Sequence, residues 1–542
     1  MKVDFLEIRS RFKNLEGVFI DFDQTNLMTV VVGRNGSGKS NVLEALVSIF
    51  RNLDLGDPPP FSYRLVYRLG TGESTVWVSI DADPGRKPAD QYVARHARTL
   101  SALEAGGKAI KKPRLHRARD GRAEFLPKYL FAYYSGPSDR LEDYFRRHRT
   151  DFYRRLLRNQ VDLAGDIRPL FYAKPIHSQF VLLAFFLSEM DQGERAFLRT
   201  HLGITGLDSV HFVMRRPNWV RKPRERFWGA DGVVREFLDR LYPLALAPVR
   251  VRRPETTSLT GQGVRNEFMH LFLPDLDSLR SFARNLSPDV FFKMLESTLL
   301  SEIISEVRVT VGLESTDTPL SFRELSEGEQ QLLTVLGLLK FTGGADSLFL
   351  LDEPDTHLNP AWAVKYLGFL RDFVPNHETS HLLMVSHHPL AIAELEKEQI
   401  QVMWRDEGGQ VHATEPAFSP RGMGYAGILT SDMFGLYTTL DAPTEDLIRQ
   451  RRALAEKAEL DEPDKVRLRE LDQELALLGF SSRHWDGDYQ QYLQIRSEIE
   501  AEHERHSPRE NPEVHKRRRE IAARIIRDLI ERGDMEAPDA AH

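Results

Sequence analysis

The sequence predicts an α/β fold built around a buried sheet, and three observations point there. Leu27-Met28-Thr29-Val30-Val31-Val32 runs apolar without alternation, as a strand buried on both faces does. A glycine-rich loop follows, and then Val42, Leu43, Leu46, Val47 and Phe50 recur at helical spacing. From 320 to 415, helical segments alternate again with apolar strands, the rhythm of an α/β sheet.

In chain order, residues 2–9 and 17–22 read as strands, and 62–69 with 74–81 as a hairpin beside the first sheet. Residues 82–122 are rich in Lys, Arg, Gly and Ala and read as an exposed excursion. Tyr129-Leu130-Phe131-Ala132-Tyr133-Tyr134 is a further buried strand. Residues 141–304 read as a mostly helical insert, interrupted by a strand at 209–214 and a basic turn, Arg215-Arg216-Pro217-Asn218-Trp219. A strand at 307–311 is expected to return the chain to the sheet. Beyond 425 the pattern is helical and charged, with 481–488 as an internal loop.

A chain of 542 residues exceeds one ordinary core and implies two or three packed units. No apolar run approaches the ~20 residues that span a bilayer, so no membrane role is expected. There are no cysteines, which excludes disulfides and cysteine-ligated zinc. The early charges in MKVDFLEIRSRFKN do not read as a signal peptide, and a cytoplasmic address is expected. Net charge is −7, yet basic residues cluster at 215–226 and 516–519, where nucleic acid phosphates could be met.

Four motifs carry the chemistry. Gly33-Arg34-Asn35-Gly36-Ser37-Gly38-Lys39-Ser40 fits G-x-x-x-x-G-K-[ST] between a strand and a helix. Its glycines let backbone N–H groups turn toward phosphate oxygens, and the helix start, continuing into Asn41, adds its positive dipole end. Lys39 is placed to reach the β- and γ-phosphates of ATP, and the Ser40 hydroxyl to bind Mg²⁺. In Ser347-Leu348-Phe349-Leu350-Leu351-Asp352-Glu353-Pro354 an apolar strand ends in two carboxylates, at the sheet edge where ligands bind. Asp352 is the second Mg²⁺ residue, and Glu353 the base that polarises the attacking water.

Leu325-Ser326-Glu327-Gly328-Glu329 begins an apolar helix, and a serine at a helix N-terminus can cap it or bind an anion. Leu382-Leu383-Met384-Val385-Ser386-His387-His388 ends a buried strand in histidines. A metal site on His381, His387 and His388 runs against strand alternation, which sends neighbours to opposite faces.

Together, in this order, the four elements resemble the RecF/SMC/OLD-like branch of the ABC ATPases. That resemblance implies an ABC head, a mixed sheet with a phosphate-loop core and a β-subdomain. It implies that Ser326, Glu327, Gly328 and Glu329 are a signature contacting the γ-phosphate held by another subunit. His387 then matches the switch histidine, and Asp355 and Thr356 belong to a D-loop running across the dimer interface. Arg11-Phe12-Lys13-Asn14-Leu15 resembles the turn of these heads that approaches the nucleotide. The glutamine the branch carries after the strand at 129–134 is missing; Tyr134-Ser135-Gly136-Pro137-Ser138 stands there, and Ser135 or a neighbour is expected to replace it.

The insert lacks the long coiled coil of SMC proteins and the cysteines of zinc-hook repair ATPases. Asp486-Gly487-Asp488 sits in a loop and reads as a turn rather than as an OLD-type Toprim centre. The stretch from Gly427 to Leu436, followed by a charged helical hairpin, resembles stand-alone ATPases of anti-phage operons, the Septu and retron-associated PtuA type. That likeness implies a homodimer or higher oligomer and a separately encoded nuclease partner, often of the H-N-H kind. A RecF-like repair ATPase that clamps DNA directly is the alternative. The expected units are 1–140 and 305–424 as two halves of the head, 141–304 as insert, and 425–542 as a helical extension. Helices at 445–478, 489–502 and 514–530 in that extension would dock a partner. Replacing Lys39 by Ala removes the phosphate's charge partner; the Lys39→Ala protein is expected to lose tight ATP binding, read by nucleotide titration.

Overall fold

The computed structural model describes residues 1–117, 123–160, 169–188, 193–220, 226–255, 264–436, 438–455, 457, 461–478 and 524. Expectations about 481–488, 489–502, 514–530, the Asp486-Gly487-Asp488 turn and the basic run at 516–519 lie outside these residues, as do 221–225 of the other basic cluster.

The apolar runs form one seven-stranded sheet. Its order is Val411–Thr414, Ile400–Arg405, Met28–Gly33, Ser380–Val385, Ser347–Asp352, Tyr129–Tyr134 and Leu170–Tyr172. All neighbours are parallel except the edge pair of Ile400–Arg405 with Val411–Thr414. Side-chain alternation splits these strands between two cores. Met28, Val30, Val32, Phe349, Leu351, Leu382 and Met384 enter one, while Val31, Leu348, Leu350, Leu383 and Val385 enter the other. Both faces are covered, so both parities must be apolar, which is why these strands read as continuous runs.

The second core is closed by helix Lys39–Leu55 and by an antiparallel six-stranded sheet. That sheet runs Val18–Asp21, Lys2–Ile8, Tyr63–Leu69, Val76–Ala82, Tyr92–Ala97 and Lys108–Ala109. The stretch 82–122, expected to be an excursion, therefore supplies the last two strands of this β-subdomain.

The insert holds more strand than the one expected at 209–214: Ile204–Arg215, Leu246–Glu255 and Val264–Leu273 join Ile304–Leu313 and Thr316–Ser321 in an antiparallel sheet. The strand expected at 307–311 thus serves this sheet and not the parallel one. Leu246–Glu255 escapes sequence pattern because it is an edge strand. It carries Arg250, Arg252 and Arg253 where a buried strand would carry aliphatics, as edges that discourage further pairing do. The inner face, with Phe212, Met214, Met269, Leu271 and Val309, packs on Phe237, Phe282 and Phe291 of the helices Gly232–Leu241, Leu276–Phe282 and Pro288–Leu300.

After the core come helices Gly424–Thr430, Ala442–Ala455 and Glu462–Leu477. The last two pair with each other through Arg451 and Asp472, and Leu471 and Leu475 are buried. No helix among the described residues is long and apolar enough to cross a membrane.

His381 fastens the two sheets together. The ring is buried; Nδ1 accepts from the Val3 N–H at 3.0 Å, and Nε2 lies 3.1 Å from Thr29 Oγ1. Burial, then the nearby Lys2, chain N-terminus and Arg68, hold its pKa well below 6.5. The folded state thus keeps His381 neutral, while the unfolded chain takes a proton once the pH falls below 6.5. Stability from this group is full above that value and is lost as pH falls through the folded pKa. His381→Gln keeps an acceptor without a titratable proton. Its melting temperature is expected to fall less than the parent's between about pH 7.5 and 5.5.

Candidate functional site

The site lies where three adjacent parallel strands end: Met28–Gly33, Ser380–Val385 and Ser347–Asp352. At Gly33, φ is 136° and a Cβ would fall 2.2 Å from the Met403 carbonyl oxygen, so only glycine passes between loop and neighbouring strand. The loop then turns through Arg34, Asn35 and Gly36, which are exposed, into helix Lys39–Leu55. Gly38 begins that helix without a side-chain cap, so its first N–H groups are left for an anion. Lys39 is buried and donates to the Gly33 and Arg34 carbonyls at 2.8 and 3.0 Å; burial lowers its pKa, against the pull of Glu353 and Asp352.

The predicted turn at Arg11–Leu15 closes on this loop. Asn14 Nδ2 donates to the Gly36 carbonyl at 3.2 Å and Asn14 Oδ1 accepts from Asn41 at 2.5 Å. Arg405 also donates to the Gly36 carbonyl, at 2.7 and 3.1 Å.

Ser40 Oγ donates to Asp352 Oδ1 at 2.9 Å, and Arg140 donates to Asp352 Oδ2 at 2.8 Å. Burial raises the Asp352 carboxyl to about 6, although Arg140 and Ser40 pull it down. Glu353 has φ 52°, a left-handed backbone rare outside glycine. That turn aims its half-buried carboxylate out of the sheet, with Oε1 3.4 Å from His387 Nδ1. The turn is over-determined, as a strained functional residue requires. The Glu353 N–H donates to the Val385 carbonyl, and the Glu353 carbonyl accepts from Thr356 Oγ1 and Gln331 Nε2 at 2.9 and 3.3 Å.

The residues present fit a nucleotide and its metal. Ser37 Oγ is buried without a partner beside an uncapped helix start and a lysine, which suits a polyphosphate. Ser40 and Asp352 offer hard oxygen donors within hydrogen-bond distance of each other, which suits Mg²⁺.

Ser326 caps helix Glu327–Thr342 in a capping box: its Oγ accepts from the Glu329 N–H, and its N–H donates to the Glu329 carboxylate at 2.7 Å. Ser326 and Glu327 are exposed, and Glu327 lies 3.4 Å from His357. At Gly328 a Cβ would sit 2.4 Å from the His357 carbonyl oxygen, so this helix start is pressed against the loop after Glu353.

In the turn expected as a D-loop, Asp355 is fully buried, accepts from Ser386 Oγ at 2.5 Å, and is raised to about 6 by burial. Thr356 is the exposed member, with Oγ1 3.3 Å from Ser135 Oγ. His388 is held by its N–H on Ser386 Oγ, and burial followed by His387 lowers its pKa.

Arg140 and Gln331 were not anticipated from sequence. Arg140 lies past a missing glutamine, and only the search for the next long polar side chain would have found it. Gln331 follows the signature directly, yet the helix turns it inward to receive the His357 N–H at 3.2 Å; helical spacing from Gly328 was the available signal.

Residues 28–79 and 166–393 match the family model described as "AAA domain, putative AbiEii toxin, Type IV TA system". The two spans make up more than half of the 542 residues, and the chain belongs to this family of AAA-type ATPase domains. It is 26% identical over 182 residues to the Septu protein PtuA of Bacillus mycoides (strain KBAB4). That alignment covers 31% of this chain and spans a quarter, 25%, of the relative's length. Among solved structures, the SMC head domain from Thermotoga maritima is 11% identical at a TM-score of 0.32, covering 77% of this chain and 99% of its own. UvrA2 from Deinococcus radiodurans is 12% identical at a TM-score of 0.26, covering 79% and 57%. The fold described above rests on the strand pairing itself.

Gly328→Ala forces the signature helix away from the loop that fixes Glu353. It is expected to leave nucleotide binding near the parent's while slowing ATP turnover by on the order of 100-fold, as small misplacements of reacting groups do. Parallel binding and phosphate-release assays check this.

Proposed function

We propose that this chain is the ATP-hydrolysing subunit of a bacterial anti-phage defence complex in the cytoplasm, pairing head to head around ATP and controlling a separately encoded nuclease. The observation that carries the ATPase reading is the convergence of the 33–41 loop, the Asp352-Glu353 pair and His387 on the ends of three adjacent strands. In this reading Gly33, Arg34, Asn35, Gly36, Ser37, Gly38 and Asn41 shape the phosphate cradle, and Lys39 leaves its two loop carbonyls for the phosphates. Ser40 and Asp352 would hold Mg²⁺, which, when bound, neutralises charge on the phosphate oxygens. Glu353 accepts the proton of the attacking water, giving ADP and phosphate. His387, beside Glu353, orients that carboxylate and responds to the γ-phosphate.

Ser326 through Glu329, at a helix start where Ser326 and Glu327 are exposed, would face the nucleotide of a second head, with Thr356 nearby. The defence role rests on the PtuA relative and on the resemblance of 427–436; the nuclease partner, of H-N-H type or another, follows from that resemblance alone. One observation favours the RecF-like alternative. The edge strand Leu246–Glu255 carries Arg250 and Arg252, with side chains 47% and 79% exposed, which share the single carboxylate of Glu267 at 3.6 and 3.8 Å and so leave net positive charge at the edge for a phosphate backbone. Direct DNA binding of that kind would weaken steeply with salt.

Glu353→Gln keeps shape and polarity without basicity. It is expected to bind ATP, hydrolyse it at least ~100-fold more slowly, and accumulate as a closed dimer in light-scattering mass measurements. Undiminished turnover removes Glu353 from the role of base. Ser326→Arg should bind ATP yet fail to hydrolyse it. Mixed with Lys39→Ala it forms dimers in which one composite site carries both lesions and the other neither, so partial activity should return. Continued failure despite proven subunit exchange means that both sites must fire together.

A further inference from the structure

Both oxygens of Asp352 are already engaged within the chain, Oδ1 by Ser40 and Oδ2 by Arg140. The Arg140 guanidinium is held in place from several sides. It lies over the Tyr134 ring at 4.6 Å, and its Nε faces Glu44 Oε1 at 3.6 Å. Glu44 is a buried carboxylate on the helix that begins at Lys39, and its other cation is Lys13. Arg140 thus sits among the phosphate-loop helix, the acidic strand and the turn after Tyr129–Tyr134, two residues before helix Glu142–Leu157 opens the insert. A guanidinium is always charged and has no lone pair, so it cannot ligate a metal. It can only compete with one for a carboxylate oxygen.

We propose that Arg140 is an internal counter-cation that holds Asp352 while no metal is there and gives up that carboxylate when the metal–nucleotide complex binds. This rests on the reading of Ser40 and Asp352 as the metal-holding pair. Two consequences follow from charge alone. Arg140 screens a metal-free triphosphate from Asp352 and Glu353, so it supports binding of ATP without metal. It also opposes a bare divalent cation, so it weakens metal binding to the nucleotide-free protein. An arginine that merely braced the 135–141 turn would do neither.

The test uses the full chain with Arg140→Met and Arg140→Gln, which remove the charge, and Arg140→Lys, which keeps it. ATP affinity is titrated in excess EDTA and in excess Mg²⁺, and Mn²⁺ binding without nucleotide is followed by electron paramagnetic resonance. Loss of the charge is expected to raise the ratio of the EDTA to the Mg²⁺ dissociation constant by at least about tenfold and to tighten Mn²⁺ binding. Arg140→Lys is expected to stay within about threefold of the parent, because charge and not fork geometry is at issue. An unchanged ratio and unchanged Mn²⁺ affinity in folded Met and Gln variants, judged by their melting temperatures, overturn the proposal while leaving the metal pair in place. A parent whose ATP binding ignores Mg²⁺ altogether overturns the reading of Ser40 and Asp352, and this inference with it.

Discussion

The one-to-one parallel register of three buried strands is the constraint on which the site depends. Val385 stands opposite Asp352 on one side and opposite Val31 on the other. Whatever follows these three residues therefore emerges at one level of the sheet: the glycine loop after Gly33, Glu353 after Asp352, and His387 just beyond Val385. A slip of one residue would exchange the two core faces of a strand and turn Asp352 from Ser40 toward the opposite layer. The apolar runs prevent this because both faces are packed. The site's geometry is thus secured by hydrophobic burial several residues away, and the groups gathered there need little structure of their own.

Charge sets the second constraint. Asp352, Glu353 and Asp355 follow one another closely at the end of a buried strand, and burial raises the carboxyls of Asp352 and Asp355. Each is handled differently. Asp352 is matched by Arg140 and Ser40, Asp355 is sunk inward onto Ser386, and Glu353 is turned outward by its left-handed backbone toward His387. Asp352 and Asp355 are both raised to about 6. A phosphate cradle beside this cluster must admit a strongly anionic ligand, and Lys39, Arg140 and any bound metal offset that repulsion.

The parallel core was legible in the sequence because its signals are local: continuous apolar runs, a loop with obligatory glycines, and carboxylates at a strand end. Arg140 and Gln331 were not, because their partners lie far along the chain and nothing nearby marks which way they point. That Asp355 turns inward while Thr356 stays exposed was not legible either, because a motif gives a residue's neighbourhood but not the side of the turn it takes. Strand Leu246–Glu255 was missed for another reason. It is exposed at 246–254, so Arg250, Arg252 and Arg253 break the apolar pattern that marks a strand, while the flanking helices keep theirs.

The chain leaves the site and returns to it at two points that are distant in sequence. At one, Arg140 on Asp352 is followed by helix Glu142–Leu157; at the other, strand Thr316–Ser321 of the insert's sheet runs through a single turn into Ser326 and helix Glu327–Thr342. That strand is an edge of the same five-stranded sheet whose opposite edge is the arginine-bearing Leu246–Glu255. A packed antiparallel sheet moves as one body more readily than it bends, since its core is close-packed. The helix that Ser326 caps and the arginine edge are thus tied to opposite edges of one sheet.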